Sequence, residues 1–322
     1  MTHVMTRVPD SEFTLLVSGR EVVADGVVAL ALQREDGLPL QRWDPGAHID
    51  LVLGPGLERQ YSLCGDPDRS DTWRIAVLRE REGRGGSAHV HDELAVGDTV
   101  IVRGPRNNFR FDAAAAYVFV AGGIGITPIL PMIARAQEEG ADWRLWYGGR
   151  HQKSMAFRDD LAGYGERVRL WPHDEHGLLP LDEILAAPGP DTLIYCCGPE
   201  ALINRVEQSS HGWPLGALRV ERFAPRSGVE SLQRSGFRVV CRRAGLVVEV
   251  SSEQSVLEAL EAAELPVDYS CQDGVCGTCE TVVLRGEVDH RDSVLTAEEQ
   301  NAGNRMMICV SRARSGELVL DL

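Results

Sequence analysis

Three cysteines, Cys271, Cys276 and Cys279, are spaced C-x4-C-x2-C, and a fourth, Cys309, follows near the end of the 322-residue chain. This is the plant-type spacing for a [2Fe–2S] cluster. Two sulfide-bridged irons each need two terminal sulfur ligands, so three thiolates from one loop must be met by a fourth from elsewhere. Gly274 and Gly277 let such a loop turn tightly and aim backbone N–H groups at the sulfurs. A zinc site would favour two C-x2-C pairs, and inert buried thiols are the other alternative. Cys64 and Cys241 lie in apolar strand-like stretches, where a thiol is usually a small buried hydrophobe.

A second group of residues suits phosphate-bearing ligands. Arg59, Gln60, Tyr61 and Ser62 end one predicted strand, and Gly85, Gly86 and Ser87 open a predicted helix. An arginine pairs bidentately with phosphate, and a glycine-serine turn offers N–H donors to the same anion, so together they suit a flavin phosphate. Tyr61 would offer a flat face and Ser62 a hydroxyl. Read alone, Arg59 is equally a solvated side chain and Tyr61 a core residue. Gly122, Gly123, Gly125, Thr127 and Pro128 lie between a predicted strand and helix, where backbone can approach a pyrophosphate. The pattern falls short of G-x-G-x-x-G, and a bare tight turn is the alternative. Cys197, Gly198 and Pro199 follow a later strand, where open α/β sheets place their ligands and a glycine permits close approach of a nicotinamide.

The elements that must carry these residues follow from periodicity. Short strands over 13–17, 27–32, 48–53 and 73–78, punctuated by turn residues, predict a small antiparallel barrel with one helix over 87–94. From Tyr117 the rhythm becomes strand then helix, which predicts an α/β layer with a parallel sheet. A polar, glycine-containing stretch over 226–236 reads as a linker, and the remainder returns to strands with one helix over 255–263. The length predicts two or three domains. The uncharged run over 113–134 is long enough to span a membrane, but its glycines and prolines fit a strand turning into a helix instead, so no membrane span is expected.

Taken in order along the chain, these motifs resemble the phthalate dioxygenase reductase family, including the vanillate O-demethylase reductases. The likeness covers essentially the whole chain and rests on Arg59, Tyr61 and Ser62, on Gly122 through Pro128, on Cys197-Gly198-Pro199, on Glu221-Arg222-Phe223 and on the cysteine loop. It implies a multidomain fold: an FMN-binding antiparallel β-barrel over 1–112, an NAD-binding α/β parallel-sheet domain over 113–225, the linker, and a C-terminal β-grasp ferredoxin domain over 237–322. It implies that Arg59, Gln60, Tyr61, Ser62, Gly85, Gly86, Ser87 and Thr127 contact FMN. Ala76, Val77 and Leu78 would line the flavin ring through backbone groups, with Phe223 beside it. Gly122, Gly123, Gly125, Pro128, Cys197, Gly198 and Pro199 would hold the nucleotide. Ser62, Thr127, Cys197 and Phe223 would stand nearest the reacting rings. FMN over FAD follows from the resemblance alone, since no residue excludes an adenine extension. NADH over NADPH also follows from it, although Arg150 and Lys153 after the strand at 143–147 suit a 2′-phosphate.

The parts make sense together because a nicotinamide gives up electrons in pairs and an iron–sulfur cluster takes them singly, while a flavin does both. The expected activity is therefore NADH-dependent electron transfer. The expected partner is a terminal Rieske-type oxygenase acting on an aromatic acid, with a cytochrome P450 or a role as a redox sensor as rivals. The formal charge of −15 argues against nucleic acid as a partner. From Phe237 onward the chain holds 15 acidic and 8 basic residues, which suits a basic acceptor. The start of the chain lacks an apolar export region, so a cytoplasmic protein with reduced thiols is expected; a monomer is expected as well. His89, His91, His173 and His176 lack companions for a metal site and read as solvated or capping residues.

Overall fold

The computed structural model describes residues 12–80, 82–228 and 235–322. They fall into two compact units, Met1–Trp213 and Pro214–Leu322. Much of the predicted linker, 229–234, lies outside the described residues.

The first unit opens with six antiparallel strands, β1 (Glu12–Ala24), β2 (Val27–Gln33), β3 (His48–Gly54), β4 (Leu57–Ser62), β5 (Trp73–Leu78) and β6 (Thr99–Arg106), ordered β4-β3-β6-β1-β2-β5. The two ends of the sheet meet just beyond β4, where Leu63 bridges Ile75 and the Cys64 N–H donates to the Arg74 carbonyl. This is the predicted barrel: β4 is the strand that Arg59–Ser62 were expected to end, and β6 is added to those read from the sequence. The short helix α1 (Gly86–Asp92) precedes β6.

Strand β2 shows why this barrel needs a neighbour. Successive side chains point to opposite faces. Val28, Leu30 and Leu32 fill the barrel with Leu15, Ile49, Leu51, Trp73, Ile75 and Val77. Val27 and Ala29, on the opposite face, join Ala76, Phe109, Tyr117, Phe119 and Met132 in a second cluster. A strand buried on both faces reads as a continuous apolar run, as 27–32 does.

That second cluster belongs to the α/β layer. Strands β7 (Ala116–Gly122), β8 (Asp142–Gly149), β9 (Val168–Pro172) and β10 (Thr192–Cys197) run parallel, with β7 paired to both β8 and β10. Tyr117, Phe119, Leu145, Tyr147 and Tyr195 face helix α2 (Ile129–Glu138), which buries Ile129, Met132, Ile133 and Ala136. The alternate residues Val118, Val120, Ile194 and Cys196 are as deeply buried. Short helices α3 (Arg158–Ala162), α4 (His173–His176) and α5 (Leu181–Ile184) and the longer α6 (Glu200–Ser209) complete the layer. The uncharged run at 113–134 thus divides between β7, a 3-10 turn and α2; no helix among the described residues is long and apolar enough to cross a membrane. Pro128, which lacks an N–H, stands as the N-cap of α2, and the helix starts at Ile129.

The second unit holds β11 (Leu218–Glu221), then β12 (Phe237–Cys241), β13 (Leu246–Val250), helix α7 (Val256–Ala262), β14 (Glu280–Arg285), β15 (Val288–Asp289), helix α8 (Ala297–Ala302), β16 (Arg305–Met307), β17 (Arg312–Ala313) and β18 (Glu317–Leu320). Its sheet runs β13-β12-β18-β14-β16, with β12 and β18 parallel and the other pairs antiparallel. Ser255 caps α7 through a reciprocal box with Glu258, and Val256, Leu257 and Leu260 pin the helix to the core.

Inside the barrel wall, Asp50 on β3 forms an ion pair with Arg106 on β6, the side chains 0% and 9% exposed. Burial pushes the Asp50 carboxyl up, but the Arg106 charge and hydrogen bonds outweigh it, and the net shift is downward. A depressed carboxyl contributes stability that is present above the unfolded value of about 4 and lost as pH falls through the lower folded one. Asp50→Asn leaves Arg106 buried without its counter-charge, and should cost the first unit about 3–5 kcal/mol at neutral pH, read as a lower melting temperature. The gap from the parent should narrow below about pH 4.

Candidate functional site

On the barrel, β3 pairs with β4 in a register that sets Ile49 opposite Tyr61 and His48 opposite Ser62. Tyr61 packs on the barrel core, and burial, tempered by the charge of Arg59, pushes its phenol up to about 12. Ser62 is buried, and Gln60 donates to Asp50 across 3.0 Å. The Arg59 guanidinium donates to the carbonyls of Glu58 and Arg84, each at 2.7 Å, which lays its stem across the start of α1. A Cβ at Gly86 would lie 2.4 Å from Arg59 Cγ, so only glycine admits this arginine. Gly85 enters the helix with φ +84° and no side-chain cap, and Ser87 accepts from the Glu80 N–H at 3.0 Å. An arginine and uncapped amides thus share one place, which fits the phosphate end of a flavin. Ala76 and Val77 are buried in β5 with Leu78 partly so. The Val77 carbonyl already meets the His91 ring at 2.9 Å, a partner the sequence reading missed. His89 stands 3.2 Å from Glu93, as a solvated helix residue would.

At the ends of β7 and β10 the backbone segments touch. Gly122–Cα lies 3.0 Å from where a Gly198 Cβ would sit, and a Cβ on Gly122 would meet Pro199 and Leu202 at 2.8 and 2.7 Å. Gly125 is tighter still: its Cβ would fall 2.3 Å from the Cys197 carbonyl oxygen and 2.6 Å from the Gly198 nitrogen. The glycine turn is a 3-10 helix over Gly123–Ile126, closed by buried Thr127, whose hydroxyl donates to the Ile124 carbonyl at 2.9 Å. The sequence motifs at 122–128 and 197–199 are therefore one construction, with exposed Pro199 at its rim. Beyond β8, Arg150 and Lys153 are exposed, and the Arg150 carbonyl accepts from the N–H of Asp174. Gln152 beside them holds Glu175 at 2.8 Å. Phe223 belongs to the second unit and is 46% exposed.

In the second unit the four thiols stand as two pairs. Cys279 and Cys309 have their sulfurs 3.2 Å apart although 30 residues separate them, and the Cys271 thiol donates a hydrogen bond to Cys276. Two pairs are what two irons require, whereas zinc draws four ligands around one point. The Asp273 N–H points at Cys271 Sγ (3.3 Å) and the Thr278 N–H at Cys276 Sγ (3.4 Å). Positive φ angles at Gln272, Gly274 and Gly277 turn these amides inward. The hydrogen bond from Cys271, opposed by burial, holds the Cys276 thiol down to about 6, while the thiols of Cys271 and Cys309 are driven up. Cluster loading must therefore release protons. Cys64 and Cys241 are buried, and burial pushes both thiols up, Cys64 to about 12.

Known proteins share these features. Residues 239–314 match the 2Fe-2S iron-sulfur cluster binding domain and residues 119–208 the oxidoreductase NAD-binding domain. The chain is 42% identical to phenoxybenzoate dioxygenase subunit beta of Ectopseudomonas oleovorans, covering 93% of this chain and 94% of that one. It is 37% identical to phthalate dioxygenase reductase of Burkholderia cepacia, over 97% and 98%. Among solved structures, phthalate dioxygenase reductase superposes with a TM-score of 0.70 at 36% identity, covering 97% of this chain and 98% of that one. An intact type IV self-sufficient cytochrome P450 monooxygenase gives 0.89 at 46% identity; this chain is covered to 97% but spans 41% of that one.

Gly125→Ala drives a methyl into the Cys197–Gly198 peptide. The variant should raise KM for the nicotinamide nucleotide in steady-state assays with an artificial acceptor while leaving the iron–sulfur absorption of the second unit at the parental level.

Proposed function

Because the chain belongs to the phthalate dioxygenase reductase family, whose members use FMN, NADH and a [2Fe–2S] cluster, we propose the following division of labour for its residues. The barrel over 1–112 binds FMN: Arg59, Gly85, Gly86 and Ser87 hold its phosphate, and Gln60, Tyr61, Ser62, Ala76, Val77, Leu78 and Thr127 bound its ring. Phe223 is assigned to the same ring on the family resemblance alone. The layer over 113–225 binds NADH across the contact between Gly122, Gly123, Gly125 and Pro128 and Cys197, Gly198 and Pro199. NADH over NADPH is taken from the family resemblance. Over 226–236 the chain links to a ferredoxin domain over 237–322, where Cys271, Cys276, Cys279 and Cys309 ligate the cluster.

The protein is an NADH-dependent oxidoreductase of the kind that serves as the reductase of an oxygenase system. Bound flavin supplies the conversion from electrons taken in pairs to electrons released singly. This chain's residues supply the rest: close-packed glycines bring the nucleotide to the barrel, and paired thiols hold the exit carrier. The observation that carries the reading is the occurrence of both constructions in one chain that matches reductases over nearly their full length.

We take the acceptor to be a terminal Rieske-type oxygenase acting on an aromatic acid, since the full-length relatives include reductases of dioxygenase systems. A cytochrome P450 is the second reading, supported by the 46% identity to the P450 fusion protein. The reductase is read as a cytoplasmic monomer. The acceptor meets an acidic face: residues 244–284, which include α7 and the cysteine loop, carry eight carboxylates and no lysine or arginine. Arginines of the same unit lie in ion pairs, Arg238 and Arg285 with Glu317 and Arg243 with Asp321.

Cys276→Ser should abolish electron delivery to a protein acceptor and leave NADH-to-flavin reduction near the parental rate. Equal loss of both in a flavin-loaded, folded variant contradicts the order of transfer. Delivery to the acceptor should also fall as salt rises from low to physiological ionic strength, where the screening length shortens to about 8 Å; a salt-independent rate contradicts the acidic docking face.

A further inference from the structure

Three cluster cysteines share one loop and the fourth lies 30 residues beyond the last of them, so something must hold the two segments in register. We infer that Asp292 is a positioning residue for the cluster, its buried carboxylate tying the three-cysteine loop to the segment that carries Cys309. The inference rests on the assignment of those four cysteines as ligands.

The Asp292 side chain is 0% exposed. One oxygen, Oδ2, accepts from the N–H groups of Val294 (3.1 Å) and Leu295 (2.8 Å), which curls residues 292–295 into a turn. The other, Oδ1, accepts from the hydroxyl of Ser311 at 3.3 Å and lies 3.6 Å from His290 Nδ1. Ser311 Oγ in turn accepts from the Arg291 N–H at 3.2 Å, and its own N–H donates to the Met307 carbonyl. Ser311 is two residues past Cys309, so this bond fixes the Cys309 turn.

The other side of the clamp reaches the loop. Ser293, held by the same turn, donates its N–H to the Gly274 carbonyl at 2.8 Å. A Cβ at Gly274 would fall 2.5 Å from Val310 Cγ2 and 3.3 Å from Asp292 Cα. Gly274 is therefore gripped between the Asp292 turn and the Cys309 segment, and the carboxylate joins the two jaws. Burial opposes the charge on Asp292, yet the His290 ring and the backbone N–H groups hold its carboxyl below the ordinary range, so it stays an acceptor at neutral pH. Partners one step removed from metal ligands orient those ligands, and their loss commonly costs about 10–100-fold in metal affinity.

The test uses the full-length holoprotein and the variants Asp292→Asn, Ser311→Ala and the double variant. Two quantities are read: the anaerobic rate at which an iron chelator bleaches the cluster, and the low-temperature EPR spectrum of the chemically reduced cluster. Asp292→Asn puts an amide NH2 where an acceptor is needed, and both single variants should lose iron about tenfold faster with altered EPR g-values. The double variant should be no worse than Asp292→Asn, because the two changes break one shared bond. Parental iron loss and EPR in Ser311→Ala, the milder change, overturn the inference even where Asp292→Asn fails to fold. A lower melting temperature with an unaltered EPR spectrum also overturns it, since a merely structural residue would give that. A parent chain that cannot be loaded with a cluster overturns the ligand assignment as well.

Discussion

The second unit depends on convergence: the sulfurs of Cys279 and Cys309 must meet although their chain positions are far apart. A loop alone cannot do this, because local turns order only neighbouring residues and leave one sulfur site of a two-iron cluster unfilled. The sheet does the long-range part. Glu280, next to Cys279, pairs with Met307 at the start of the segment that carries Cys309, and the Ile308 N–H reaches the Cys279 carbonyl. Strand pairing thus delivers the fourth thiol to within bonding range, and inward-turned amides at Asp273 and Thr278 complete the surroundings of the sulfurs. Three of the four thiols are buried, with Cys271 partly so, and because iron is held by thiolates, loading the cluster releases their protons.

In the first unit the corresponding constraint is backbone proximity. Gly122, Gly125 and Gly198 bring two parallel strands close enough that any side chain would collide with backbone or with Pro199 and Leu202. That contact is held from below by a core shared between barrel and α/β layer, in which Val27, Ala29 and Ala76 of the barrel meet Phe119, Met132 and Tyr147. Backbone and side-chain bonds add to it, including Asp25 N–H to the Lys153 carbonyl and Arg74 to Asp160. The proposed flavin and nucleotide residues of this unit therefore sit on one packed body, so their spacing is set by core packing rather than by a hinge.

How much of this the sequence disclosed follows from where each signal is local. The cysteine spacing, the glycine turn at 122–125 and the alternation of strand and helix after Tyr117 all lie within short windows, and each appears where the pattern placed it. The uniformly apolar run at 27–32 carried the information that β2 is buried twice, although periodicity alone does not say by what. Strand β6 was hidden because Gly104 and Pro105 interrupt Thr99–Arg106, which owes its strand to pairing with β1 and β3. Asp50, Arg106, Asp292 and Ser311 were hidden for another reason. A buried polar residue looks like a surface one until its partner, distant in sequence, is known.

The account stands on one chain accepting electrons in pairs and releasing them singly. An anaerobic titration of the flavin- and cluster-loaded protein with NADH, followed by low-temperature EPR, measures this directly. The account predicts that NADH alone, with no added mediator, produces the one-electron signal of a reduced [2Fe–2S] cluster as the flavin absorbance bleaches. NADH consumption with full flavin bleaching and no cluster signal would contradict it.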